Sequence, residues 1–125
     1  MNVLVLESDP AEAKRICAVV SRAGHRAQPA STELLALIML QTSVYDLVLW
    51  DLDMAPDMCV GFIRKWKGVN GAWLLAAFTR ENTREKEAAA RAEGAIRFLH
   101  KPASEEDLRQ ILTFAESRSP ARLEI

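Results

Sequence analysis

Short apolar runs alternate along the chain with segments of helical period. Val3-Leu4-Val5-Leu6 is the first run, and Asp9-Pro10-Ala11-Glu12 follows it. That tetrad reads as an N-cap, a proline in the first helical position and a capping-box glutamate. Ile16, Cys17, Val20 and Ala23 then recur at helical spacing, and Gly24 is a natural stop. A weak extended piece is expected at His25 to Gln28 and a second helix at Thr32 to Gln41. Asp46 to Trp50 (DLVLW) is the next apolar run, and a short helix at Gly61 to Lys67 follows an irregular loop. Ala72 to Phe78 (AWLLAAF) is the third run. Asn82-Thr83-Arg84-Glu85 reads as a capping box for an Ala- and charge-rich helix that Gly94 ends. Ile96 to Leu99 is a short strand, and Ser104 caps a last helix lined by Leu108, Ile111, Leu112 and Ala115.

The order is strand then helix, five times over. Strands alternating with helices imply parallel crossovers, and strands apolar without alternation imply a sheet covered on both faces. The handedness rule leaves few topologies. The expected fold is α/β, a doubly wound, five-stranded parallel sheet of flavodoxin-like order 2-1-3-4-5. One domain is expected over residues 1–118. A tail at 119–125 follows, where Pro120 blocks helix extension.

Composition narrows the class. In 125 residues, 16 Lys and Arg face 17 Asp and Glu, and the net charge of −1 advertises neither nucleic acid nor a membrane surface. Cys17 and Cys59 make neither a disulfide framework nor a zinc spacing. No apolar run approaches ~18 residues, and the start MNVLVLESD lacks a basic n-region. A cytoplasmic protein with no membrane span is expected.

In open parallel sheets ligands bind beyond the carboxyl ends of the strands. Glu7, Ser8 and Asp9 follow the first strand, Asp51 and Asp53 the third, Thr79 and Arg80 the fourth, and His100, Lys101 and Pro102 the fifth. Carboxylates, a hydroxyl and a lysine thus converge on one edge. A carboxylate can act as the nucleophile toward phosphorus. Others can hold a hard cation, and lysine and hydroxyl can take phosphoryl oxygens.

On these residues the chain resembles a response-regulator receiver domain of bacterial two-component signalling, over residues 2–118. VLVLESDP resembles the family's first strand and acidic turn. DLVLWDLDM resembles the strand carrying the phosphoacceptor, AAFT the segment ending in the hydroxyl residue, and GAIRFLHKP the segment carrying the switch aromatic and the lysine. The resemblance implies a signalling module rather than an enzyme, with Asp51 as phosphoacceptor and Thr79 and Lys101 beside it. It implies Mg²⁺ on ligands drawn from Glu7, Asp9, Asp51 and Asp53, and a switch of Thr79 and Phe98. Asp53 and Glu81 would tune hydrolysis of the acyl phosphate, and Lys101–Pro102 is a candidate cis bond. Phe98, unlike the commoner tyrosine, has no hydroxyl to bury, which biases it inward. The implied partners are a sensor histidine kinase or phosphotransfer protein and an output domain or effector. They would read a surface that includes Arg84, Arg91, Arg97 and Asp107.

Several residues depart from the family pattern. Ser8 stands where a second acid is usual, so Mg²⁺ binding is expected to be weak and to depend on Glu7 or Asp9. Pro56 and Gly61 lie five and ten positions after Asp51, making the loop Leu52 to Val60 two residues longer than usual. Arg80 replaces a small residue, and Ala103 follows Lys101-Pro102. These changes keep open a pseudo-receiver, the same fold acting without phosphorylation. A haloacid-dehalogenase-type phosphohydrolase also shares Asp-x-Asp, threonine and lysine, but carries Asp-x-Asp on its first strand. Helix 32–41 has apolar residues at every position from Leu34 to Leu40. It is expected to sink deeply against its neighbours, with a partner or homodimer surface as the alternative. His25 and His100 are expected in solvent, Cys59 inert, and Trp50, Trp66 and Trp73 in core or half-buried packing.

Overall fold

The structure is a computed structural model that describes residues 1–54, 73–81 and 83–118. The expected helix at Gly61 to Lys67, the loop beyond Met54 with Cys59, Trp66, the cap at Asn82 and the tail from Ser119 lie outside the described residues. In chain order the elements are β1 (Asn2–Leu6), α1 (Pro10–Arg22), β2 (Arg26–Ala30), α2 (Glu33–Thr42), β3 (Leu47–Asp51), β4 (Leu74–Thr79), α3 (Arg84–Ala92), β5 (Ala95–His100) and α4 (Glu105–Arg118). The five strands form one parallel sheet in the order β2-β1-β3-β4-β5.

Residue alternation along each buried strand divides the interior into two layers. Val3, Val5, Leu47, Leu49, Ala76 and Phe78 face α1 and α4, meeting Ile16, Val20, Leu108, Ile111 and Leu112. Leu4, Leu6, Val48, Trp50, Leu75 and Ala77 face the other way, toward Ala36 and Leu40 of α2 and Ala90 of α3. Every residue of β3 is buried, as a central strand with both faces covered requires.

Caps fix the helix starts. The Asp9 carboxylate accepts the Ala11 N–H at 3.0 Å, and Pro10 opens α1. Thr32 caps α2 through the Leu35 N–H, and Ser104 accepts the Asp107 N–H at 3.0 Å. Thr83 caps α3, its hydroxyl accepting the Lys86 N–H at 3.2 Å. With this cap Lys86 is the third helical residue. Gly24 and Gly94 adopt φ of 89° and 98° after α1 and α3, in the left-handed region that favours glycine.

Two expectations need correction. α2 does not sink deeply: among its residues only Ala36 and Leu40 are buried, while Leu34 and Ile38 are 67% and 49% exposed. A helix can bury one stripe against a sheet, so an almost wholly apolar helix leaves the rest outside. His25 is not solvated. Its Nδ1 lies 3.0 Å from the Met1 amine and its Nε2 3.6 Å from Glu116, because Gly24 turns the chain under the start of β1. His100, Trp50 and Trp73 stand as expected, the first exposed and the other two buried.

Candidate functional site at the carboxyl edge of the sheet

Parallel strands deliver their carboxyl ends to one edge, and the polar residues there are the buried ones. Glu7, Asp51, Thr79 and Lys101 are buried at the ends of β1, β3, β4 and β5. Backbone bonds beyond the strands hold them in place. The Glu7 N–H donates to the Ala30 carbonyl at 3.1 Å, and the Lys101 N–H donates to the Thr79 carbonyl at 2.8 Å. The Lys101–Pro102 peptide is cis. Arg15 of α1 holds the following turn through the Ala103 carbonyl at 2.6 Å.

The Lys101 ammonium is the hub. Its Nζ lies 2.7 Å from Asp51 Oδ1, 3.1 and 3.3 Å from the two Glu7 oxygens and 3.6 Å from Asp53 Oδ2. Asp51 Oδ1 also accepts the Asp53 N–H at 2.9 Å. Among the described residues, Asp51 Oδ2 is buried and has no hydrogen-bond partner. The Thr79 hydroxyl donates to Asp53 Oδ1 at 2.6 Å and accepts the Glu81 N–H at 3.2 Å. Asp53 Oδ2 accepts the Arg80 N–H at 3.0 Å. Above them opens a cavity of about 390 Å³ lined by Glu7, Ser8, Asp9, Asp51, Asp53, Arg80, Glu81, Lys86 and Lys101.

Charge and burial set the protonation of this cluster. Burial and the neighbouring Asp51 carboxylate raise the Glu7 carboxyl to about 7, against the pull of Lys101. Burial opposes the charge on Asp53, but the Thr79 hydrogen bond, the Arg80 N–H and the two lysines outweigh it and hold that carboxyl below its ordinary value. Burial likewise opposes the Lys101 charge. The Asp51 and Glu7 carboxylates prevail and raise its pKa.

The structure therefore brings Glu7, Asp51, Asp53, Thr79 and Lys101 into direct contact. Asp9 lines the cavity while its side chain caps α1, and Ser8 is exposed, its N–H donating to Glu7 Oε2 at 3.0 Å. Phe98 is half-buried and packs on the cluster that contains Trp50 and Ala77. Sequence reasoning missed Lys86, whose Nζ lies 3.4 Å from the Thr79 hydroxyl and 3.7 Å from Asp53 Oδ1. Placing the cap at Thr83 would have found it, because a residue in the first turn of α3 overlooks the end of β4.

A divalent cation finds one clear acceptor here, the unpartnered Asp51 Oδ2. Glu7 or Asp9 could supply a second oxygen. Among the described residues no three His, Cys, Asp or Glu side chains form a ready ligand set, because Lys101 already stands among the carboxylates. The donors fit Mg²⁺, which takes one or two carboxylates and keeps several waters.

The family model for the response regulator receiver domain matches residues 3–113. The chain belongs to this family. This receiver domain has the fold of solved relatives at low identity. A response regulator from Thermotoga maritima superposes with a TM-score of 0.85 at 17% identity, over 93% of this chain and 97% of that one. The Vibrio cholerae chemotaxis protein CheY4 gives 0.81 at 22%, over 91% and 97%. A response regulator protein from Burkholderia pseudomallei gives 0.76 at 18%, over 95% and 75%. No curated protein matches the chain. Among the described residues no helix is long and apolar enough to cross a membrane.

Proposed function

We propose that this receiver domain accepts a phosphoryl group on Asp51 and thereby switches a protein-binding surface. The observation that carries the reading is Asp51 Oδ2, a buried carboxylate oxygen with no donor among the described residues, in a carboxylate that lines an open cavity together with Lys101. In the transfer this carboxylate attacks the phosphorus of a phosphohistidine or a small acyl phosphate. The bond from phosphorus to the leaving nitrogen or oxygen breaks and a mixed anhydride forms. Lys101, at 2.7 Å, exchanges its contact with Asp51 for one with a phosphoryl oxygen. Thr79 turns its hydroxyl from Asp53 toward another. Asp51 with Glu7 or Asp9 would hold Mg²⁺, which would supply neutralising charge when bound. The Burkholderia relative is described with a phosphorylated aspartic acid and a calcium ion, which is chemistry of the same kind.

The space that Thr79 leaves is filled by Phe98, and the change is read on the face that carries Arg84, Arg91, Arg97 and Asp107. The donor is a sensor histidine kinase or a phosphotransfer protein, and the reader is an output domain or effector. In the second reading the domain is a pseudo-receiver. It draws support from Ser8 and from Lys101, whose ammonium is already matched by Asp51 and Glu7. Incubation with acetyl phosphate and Mg²⁺, followed by intact mass, separates the two. A phosphoryl adduct lost in Asp51→Asn is expected. An adduct that persists in that variant overturns the assignment, and none in the wild type leaves the pseudo-receiver.

A further inference from the structure

Two lysines face this site, and they are held differently. Lys101 is 6% exposed, and its ammonium is taken up by Asp51 at 2.7 Å and Glu7 at 3.1 and 3.3 Å. It neutralises resident carboxylates. Lys86 reaches over the end of β4 from the first turn of α3. Its Nζ lies 3.4 Å from the Thr79 hydroxyl, 3.6 Å from Glu81 Oε2 and 3.7 Å from Asp53 Oδ1. All three separations exceed the ~2.7–2.9 Å of a strong charge-assisted bond. The side chain is 26% exposed and lines the mouth of the cavity. It is a loosely held cation, and a new anion can take it without stripping a tight ion pair.

The cavity needs such a cation. Five acids line it against Arg80, Lys86 and Lys101, and a phosphodonor arrives as an anion. An exposed positive charge at the lip raises the local concentration of that anion. A phosphoryl group on Asp51 presents three oxygens, and serine at position 8 leaves the site short of a ligand for the ion that would share them.

We propose that Lys86 is a further phosphoryl-binding residue of this site. It draws the donor's anion in and contacts a phosphoryl oxygen on Asp51. The long contacts to Thr79 and Asp53 are given up for it. Lys86 transfers no proton, and its role is charge and position. Because it belongs to α3, its movement ties the first turn of that helix to the occupancy of the site. The inference rests on Asp51 as phosphoacceptor.

The test compares the full chain with Lys86→Met and Lys86→Arg, each checked for folding by far-UV circular dichroism. Adduct formation is followed by intact mass against acetyl phosphate concentration with Mg²⁺ fixed. Amide shifts of Arg84, Glu85 and Glu87 are followed as beryllofluoride is added. Lys86→Met is expected to raise the half-saturating donor concentration about fivefold to tenfold, the loss of one charged contact. It should leave the maximal rate within about threefold, while Lys86→Arg stays within about twofold of wild type. The α3 amides should shift in wild type and not in Lys86→Met. An unchanged half-saturating concentration in Lys86→Met overturns the role of Lys86 alone. Equal impairment by Met and Arg overturns it in favour of a structural part. A wild type that takes no adduct overturns the Asp51 reading, and this inference with it.

Discussion

Glu7 is the residue at which this receiver departs most from a simple acidic pocket. It is buried, it contacts Lys101 through both oxygens, and its carboxyl is pushed up to about 7 by burial and by Asp51. A carboxyl whose folded pKa lies above its unfolded value binds a proton more tightly when folded. Its stabilising contribution is complete below the unfolded value of about 4.5 and is lost as pH rises toward 7. Urea unfolding of wild type, followed by tryptophan fluorescence, should therefore show stability falling between pH 5 and 7.5. Glu7→Gln should remove that part of the slope. The difference between the two proteins cancels every contribution that they share. An identical slope in both would mean that Glu7 is not the group that titrates.

At the scale of elements, the strong apolar runs and their caps carried most of the fold. Val3–Leu6, Leu47–Trp50 and Leu75–Phe78 are buried on both faces, which only parallel central strands permit, and from them the sheet order followed. β2 was weak in sequence because its mixed composition, RAQPA, reflects an edge strand with one fully buried residue. α2 misled for a physical reason: its apolar residues are more numerous than the single stripe the sheet can cover, so hydropathy overstated its burial. The sequence aligned Glu7, Asp51, Thr79 and Lys101 on one edge. It could not show that Lys101 would sit among three carboxylates, because that depends on side-chain reach across four strands. Asp9 illustrates an element holding a site residue. Its carboxylate caps the Ala11 N–H, so Asp9→Ala should cost about 1 kcal/mol in thermal or urea unfolding and Asp9→Asn only a few tenths. If Asp9 also holds Mg²⁺, both variants should weaken the metal equally in a fluorescence titration. A cap-only role would leave Mg²⁺ affinity unchanged in Asp9→Asn.

For the molecule as a whole, the site is also a clasp. Lys101 and Glu7 stand 94 positions apart in sequence, and with Asp51 they bind the ends of β1, β3 and β5 together beyond the last ladder bonds of the sheet. Such a clasp is stable only while it is complete. With the ammonium removed, the buried Asp51 carboxylate would lose its cation, and Glu7, whose carboxyl burial and Asp51 already push up, would lose the one group that draws it down. Breaking a buried pair in this way typically costs 3–5 kcal/mol, whereas replacing both partners with neutral groups can come close to neutral. Lys101→Met alone should therefore lower the unfolding free energy by about 3 kcal/mol at pH 7.5. The deficit should shrink as pH falls and Glu7 takes up its proton, the direction already set for that carboxyl. Adding Glu7→Gln to Lys101→Met should recover half or more of the loss. The coupling would appear as a non-additive double-mutant cycle in urea at one pH. Additive losses would show that Lys101 balances Asp51 alone and that the end of β1 is held by its backbone bond to Ala30.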